Sequence, residues 1–248
     1  MSPFSLQGKT ILITGASSGI GRACAVCASR LGASIIATGR RDTALQETIS
    51  NCEGAGHQIE VGDIADPEFV KKLVEKSGKI DGLVHAAGIG PACPVGALTM
   101  EHVEEVMKTN YYSFLELMKY CTRNKYRKEK LSVVAISSVA GLVGWRGVAV
   151  YGGSKGALSS SVRAMAIEFA AKGIRVNAVC PSNIRTPMLD EVLIENGDEA
   201  AKDEILRRQP LGLGEPDQVA WPVCFLLSDA AGFITGVNLP VDGGYLAQ

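Results

Sequence analysis

The sequence predicts an α/β fold: one doubly wound domain with a mostly parallel, seven-stranded sheet and helices on both faces. Three observations predict it. Short β-rich runs alternate with helical ones along the whole chain, which builds β-α units joined by right-handed crossovers. Most strand candidates are continuous apolar runs without polar alternation, as expected where helices cover both faces of a parallel sheet. A glycine-rich turn joins the first strand to the first helix, at the strand carboxyl ends where such sheets bind ligands. With 248 residues and 46% hydrophobic content, the chain can bury one sizeable core. No repeat, low-complexity tract or linker divides it, so 1–248 reads as a single domain.

The elements follow in order. Strands are expected at Thr10–Thr14, Ser34–Thr38, Gln58–Val61, Gly82–Ala86, Ser132–Ser137, Arg175–Cys180 and Asn238–Val241, with helices filling the gaps. The first helix opens at the glycine loop and runs to Leu31. Another begins at Asp66-Pro67-Glu68, an acidic N-cap followed by proline in the first turn. Thr99 to about Asn124 is one long helix or two joined ones. A later helix carries Tyr151 and Lys155 and continues with Leu158, Val162, Met165 and Phe169, one apolar stripe. It stops near Gly173.

Net charge is −1, which gives no general pull toward nucleic acid or a membrane surface. Met1–Thr10 lacks a cationic start and apolar run, and no stretch approaches the roughly 18–20 apolar residues of a membrane span. A cytoplasmic protein is expected. Seven cysteines lie scattered through apolar segments and read as reduced core residues. Cys24-Ala-Val-Cys27 falls inside a helix and reads as packing, not a redox pair. His57 and His102 show no metal-ligand spacing, and no metal is expected.

Thr14-Gly15-Ala16-Ser17-Ser18-Gly19-Ile20-Gly21 follows the first strand directly. Its glycines permit a tight turn and let the backbone approach a pyrophosphate at a helix N-terminus. The second strand ends Ile36-Ala37-Thr38-Gly39-Arg40-Arg41, with no carboxylate to accept from a ribose 2′-hydroxyl. A guanidinium there grips a 2′-phosphate instead, so Arg40 and Arg41, with Arg22 as a further candidate, point to NADP. Charge-assisted hydrogen bonds contribute about 1.5–3 kcal/mol each. The alternative is a solvated arginine loop paired with Asp42. Asp63, after the third strand, is expected to meet the adenine.

Tyr151 and Lys155 are four residues apart, which puts them on one helix face with about 5–6 Å between Cβ atoms. A phenol titrates near pH 10, and a neighbouring ammonium lowers that value. The pair therefore reads as a general acid/base for interconverting an alcohol and a carbonyl. Ser138 and Asn110 lie upstream.

With these residues in place the chain resembles the short-chain dehydrogenase/reductase family. The resemblance spans nearly the whole chain: the glycine loop, His85-Ala86-Ala87-Gly88, Asn110, Ile136-Ser137-Ser138, Tyr151 to Lys155, Val176-Asn177-Ala178-Val179-Cys180-Pro181 and Val241-Asp242-Gly243-Gly244. Pro210 to Pro216 leading to Phe225-Leu226-Leu227-Ser228-Asp229 looks most like the 3-oxoacyl-[acyl-carrier-protein] reductase group. The resemblance implies a Rossmann-type domain and four catalytic residues. Tyr151 is the proton donor or acceptor, and Lys155 tunes it and binds the nicotinamide ribose. Ser138 bonds the substrate oxygen, and Asn110 holds a water that links Lys155 to solvent. It also implies dinucleotide contacts from Ile64, Ala87, Gly88, Pro181, Ile184 and Thr186, the last to the carboxamide. A homotetramer is implied too, joined through the helices of Asn110 and Tyr151, with Gly156, Ser159, Ser160 and Ala164 permitting close approach.

Two positions depart from the family pattern. His85 stands where asparagine is common and reads as a packed substitute. Ser182 replaces the usual glycine after Pro181. Arg123–Lys130 holds five basic residues and one acid and reads as a solvated helix end or as a dock for an acidic carrier protein. Residues 186–212, including Met188, Leu189, Val192, Leu193 and Ile194, are expected to cover an apolar or extended substrate. Trp145 and Arg146 are expected beside it. The function expected is NADPH-dependent reduction of a 3-oxoacyl thioester or similar ketone. The alternatives are a sugar, polyol or secondary-alcohol dehydrogenase, or a nucleotide-binding protein without catalysis.

Overall fold

All seven predicted strands are present in a computed structural model that describes residues 2–190 and 207–247. They are β1 (Thr10–Thr14), β2 (Ser34–Gly39), β3 (Gln58–Val61), β4 (Ile80–His85), β5 (Arg127–Ile136), β6 (Ile174–Pro181) and β7 (Asn238–Val241). Every pairing is parallel, in the order β3-β2-β1-β4-β5-β6-β7. The order reverses between β1 and β4, and the crevice at that switch point is where a ligand fits.

Alternate strand residues feed two cores, as the period of two requires. Ile11 and Ile13 of β1 pack with α1 (Gly19–Arg30) and the C-terminal helix Pro216–Leu227. Leu12 turns to the other face, with α3 (Pro67–Ser77), α5 (Ser113–Cys121) and α6 (Ala149–Phe169). A short helix, α2 (Asp42–Ser50), follows β2, and α4 (Met100–Met107) precedes α5; the C-terminal helix is α7. Asp66 caps α3 by accepting from the Glu68 N–H at 2.9 Å, and Pro67 fills the first turn, as predicted. The stripe on α6 lands on the core: Leu158, Val162 and Phe169 are buried. A short turn carries the chain on to Gly173, whose φ of 70° ends it.

The starts of β4 and β5 differ from expectation, β4 beginning at Ile80 and not Gly82. β5 starts at Arg127, not Ser132, because the Arg127 guanidinium is buried and turned onto its own surroundings. It donates to the Lys128 and Glu129 carbonyls at 3.1 and 2.7 Å and to Asn124 Oδ1 at 2.6 Å. A charge satisfied that way can start a strand that no hydropathy pattern announces. The basic run therefore sits at the N-terminal end of a ten-residue strand. That is about 30 Å from the carboxyl edge where the crevice lies. The segment from Thr99 is two helices joined by a π turn, Lys108–Tyr112, which holds Asn110. Such turns often mark functional sites.

The small residues on α6 do not all face outward. Ser159 is buried against Ser137, 2.8 Å between hydroxyls, and Gly156 packs on Gly141. Ser160 and Ala164 are exposed, with Ile167 beside them 81% exposed. All seven cysteines are free; Cys52 and Cys93 are partly exposed and the other five buried. Burial pushes the Cys27 thiol up to about 11 and Cys121 to about 12. Among the described residues, no helix is long and apolar enough to cross a membrane.

Candidate active site

The glycine loop is held open by main-chain bonds. Ala16 N–H donates to the Thr38 carbonyl at 3.1 Å, and the Thr48 hydroxyl to the Ala16 carbonyl at 2.8 Å. Gly15 has φ of 65°, and a Cβ there would stand 2.7 Å from the Ala87 nitrogen. Positive φ and close approach together demand glycine. Ser18 caps α1 without a side-chain bond, and the first turn carries no acid. Its amide donors face the crevice, the arrangement that takes a pyrophosphate.

Above the loop lies a cavity of about 910 Å³. Every dinucleotide-contact residue predicted from the sequence lines it, with one exception. Arg22 turns away: its guanidinium forks onto Glu47, 2.8 Å to each oxygen, and onto the Ser17 carbonyl at 2.9 Å. It braces the loop from outside. Arg40 and Arg41 are exposed at the mouth. Arg41 reaches Ser17 Oγ at 3.5 Å, whereas Asp42 accepts from Gln46 at 3.2 Å. Among the described residues neither arginine pairs with a carboxylate. The Asp63 carboxylate accepts from the Ala65 N–H at 2.9 Å, and Ile64 is buried beside it. Thr38 and Ser182 line the cavity, and each has a buried hydroxyl with no partner among the described residues. Unpaired buried hydroxyls are costly, and a polar ligand there would satisfy them. The residues present fit a dinucleotide.

Ser138, at the end of β5, and Tyr151 and Lys155, on α6, meet on the cavity floor. Burial raises the Tyr151 phenol above its usual value, opposed by a hydrogen bond from Ser138. Lys155 Nζ lies 5.8 Å from the Tyr151 ring centroid and donates to the Ile136 carbonyl at 2.8 Å. Burial pulls it down to about 8. The spacing of Tyr151 and Lys155 predicts a phenol lowered by the cation, but desolvation of both groups dominates in the fold.

Asn110 is fully buried behind this floor. Its Oδ1 accepts from the Ile89 N–H at 2.8 Å, and its Nδ2 donates to the Ile89 carbonyl at 2.9 Å and Ser154 Oγ at 3.0 Å. Ser154 donates in turn to the Tyr151 carbonyl at 2.7 Å. Ser154 escaped the sequence reading, being one of many small residues on α6. Tyr245 lines the cavity beside Trp145, ring centroids 6.4 Å apart, and Arg208 stacks over Trp145 at 4.8 Å. Nothing in the local sequence around Tyr245 signals this, since a C-terminal turn places it. Arg146 is exposed and does not line the cavity. Of the predicted cover, Met188 and Leu189 line the cavity; Val192, Leu193 and Ile194 lie outside the described residues.

Comparison with known proteins agrees with this geometry. A family model described as enoyl-(acyl carrier protein) reductase matches residues 15–246. The chain is 37% identical to an L-rhamnose 1-dehydrogenase (NAD(P)(+)) of Sphingomonas sp. strain SKA58, covering 96% of each chain. It is 36% identical to the 3-oxoacyl-[acyl-carrier-protein] reductase of Rickettsia conorii, covering 97% of this chain and 98% of that one. Among solved structures, one from Beutenbergia cavernae, described as an NAD(P)-dependent gluconate 5-dehydrogenase with NADP bound at low occupancy, superposes with a TM-score of 0.91 at 33% identity over the whole of both chains. The chain belongs to the short-chain dehydrogenase/reductase family of oxidoreductases.

Proposed function

We propose that this chain is an NADP(H)-dependent reductase that converts a ketone to a secondary alcohol, its substrate class a 3-oxoacyl thioester. The observation that carries the reading is the meeting of Ser138, Tyr151 and Lys155 on the floor of a cavity that also reaches the glycine loop. Arg40 and Arg41 at its mouth, neither paired with a carboxylate among the described residues, support a 2′-phosphate. Pro91, Val143, Val148, Met188 and Leu189, with the Trp145 face, line the other side and suit an apolar, extended substrate. Of the expected cover, 186–212, Met188 and Leu189 lie against this side, and 191–206 fall outside the described residues.

The dinucleotide, when bound, supplies a hydride to the carbonyl carbon. Tyr151, a phenol already protonated at neutral pH and raised further by burial, gives its proton to the carbonyl oxygen. Ser138 donates a hydrogen bond to the same oxygen, and Lys155 keeps a positive charge near the phenolate that forms. The whole chain, 1–248, serves as one binding and catalytic domain, in the cytoplasm and as a homotetramer. Exposed Ile167 on α6 and Phe233 after α7 support the assembly.

A second reading, a sugar or polyol dehydrogenase, is favoured by the similarity to L-rhamnose 1-dehydrogenase. A panel of 3-oxoacyl thioesters, sugars and sugar acids, each with NADPH, NADH and their oxidised forms, separates the two. The first reading expects the highest kcat/KM on a 3-oxoacyl thioester with NADPH. A tenfold higher value on a sugar would replace it with the second.

A further inference from the structure

His85 is fully buried at the end of β4, and both ring nitrogens are engaged. Nδ1 lies 3.1 Å from Thr14 Oγ1, and Nε2 lies 3.2 Å from the Asn110 carbonyl oxygen. That carbonyl can only accept, so Nε2 carries the proton and Nδ1 is bare. The Thr14 hydroxyl must then donate to Nδ1, which leaves its oxygen to accept the Ala87 N–H at 3.1 Å. Every donor in this row meets one acceptor. The ring also packs on Phe114, centroids 5.4 Å apart.

The row joins two machines. Thr14 opens the glycine loop and Ala87 lines the cavity beside it. From Asn110 the bonds continue through Ser154 to the Tyr151 backbone. We propose that His85, as the neutral Nε2–H tautomer, is the positioning residue that fixes Asn110 and, through it, the proton-transfer residue Tyr151 relative to the dinucleotide loop. The geometry alone carries this. Burial and the nearby Lys155, the charged group facing the ring among the described residues, hold it well below its usual range, to about 3, so the neutral form persists across the working pH range. The proposal rests on the function read above, because it assigns Tyr151 the proton transfer.

Two arms test it. In the first, side-chain nitrogen NMR of the wild-type protein reads the tautomer; with three histidines in the chain, assignment is direct. The Nε2–H form with no titration between pH 5 and 8.5 supports the proposal. The Nδ1–H form, or a titration near 6.5, overturns it. In the second, kcat, the Kd for NADPH and thermal unfolding are measured for His85→Leu and His85→Gln. Leucine fills the volume but removes both ring bonds, to the Asn110 carbonyl and the Thr14 hydroxyl, while the glutamine amide can still donate to that carbonyl. Losing the two buried ring hydrogen bonds at a positioned group predicts a fall in kcat of about 10- to 100-fold for the leucine variant. Its Kd for NADPH should stay within about threefold, and glutamine should restore kcat to within about threefold. Equal losses in both variants, tracking the unfolding temperature, would mean simple packing and would sink the idea. If the wild type reduces no carbonyl at all, the functional reading fails, and the NMR arm still decides the tautomer.

Discussion

Lys155 holds its charge in a place that penalises charge. Buried beneath Tyr151 and tied to the Ile136 carbonyl, it titrates near 8 and is protonated at neutral pH. Tyr151 shifts the other way and keeps its proton. The pair at rest is thus an acid beside a cation, set for reduction. As pH rises through about 8 the ammonium is lost while the phenol remains protonated, so kcat for reduction is expected to fall above that point. In Lys155→Met, kcat should drop by about 100-fold or more and the break near pH 8 should vanish. A break surviving in the variant would assign it to another group. The motif spacing made both residues legible in the sequence. The direction of the phenol shift was not, because it depends on how completely the fold dries the site.

At the level of elements, β1, β2, β3 and β7 match the sequence reading to within a residue, since turn residues and apolar runs bound them sharply. β5 does not, because the donors of the buried Arg127 are satisfied by carbonyls and an amide that no linear pattern announces. The π turn at Asn110 was likewise hidden: periodicity runs through it, and only the side-chain bonds to Ile89 and Ser154 show why the helix must widen there. The loop after β2 carries its own prediction. Arg40 follows β2 with no carboxylate partner among the described residues, whereas Arg22 is spent on Glu47. Arg40→Glu should lower the preference for NADPH over NADH by about 10- to 100-fold, from the loss of one or two charge-assisted bonds. Arg22→Ala should leave that preference within about threefold. Ratios of kcat/KM with the two nucleotides measure both, and a reversed order would mean that the loop rearranges on binding.

For the whole molecule, the sheet places the chemistry at one edge and the basic run of Arg123–Lys130 at the other. Activity on a carrier-linked substrate should therefore depend no more on salt, between 50 and 300 mM, than activity on a small thioester analogue. A steep loss confined to the carrier-linked substrate would show that some other basic surface docks it. The exposed apolar side chains, Ile167 and Phe233 above all, are expected to be covered by sister chains. Light scattering should give about four times the 26.1 kDa chain mass, and Ile167→Glu with Phe233→Glu should shift the mass down. A monomer with full activity would remove the assembly from the account.

The most direct measurement is made on Tyr151→Phe, with NADPH affinity and turnover followed in the same preparation. With Tyr151 as the proton donor, NADPH should bind within about threefold of wild type and kcat should fall by about 100- to 10,000-fold. A variant that reduces its ketone at the wild-type rate would contradict it.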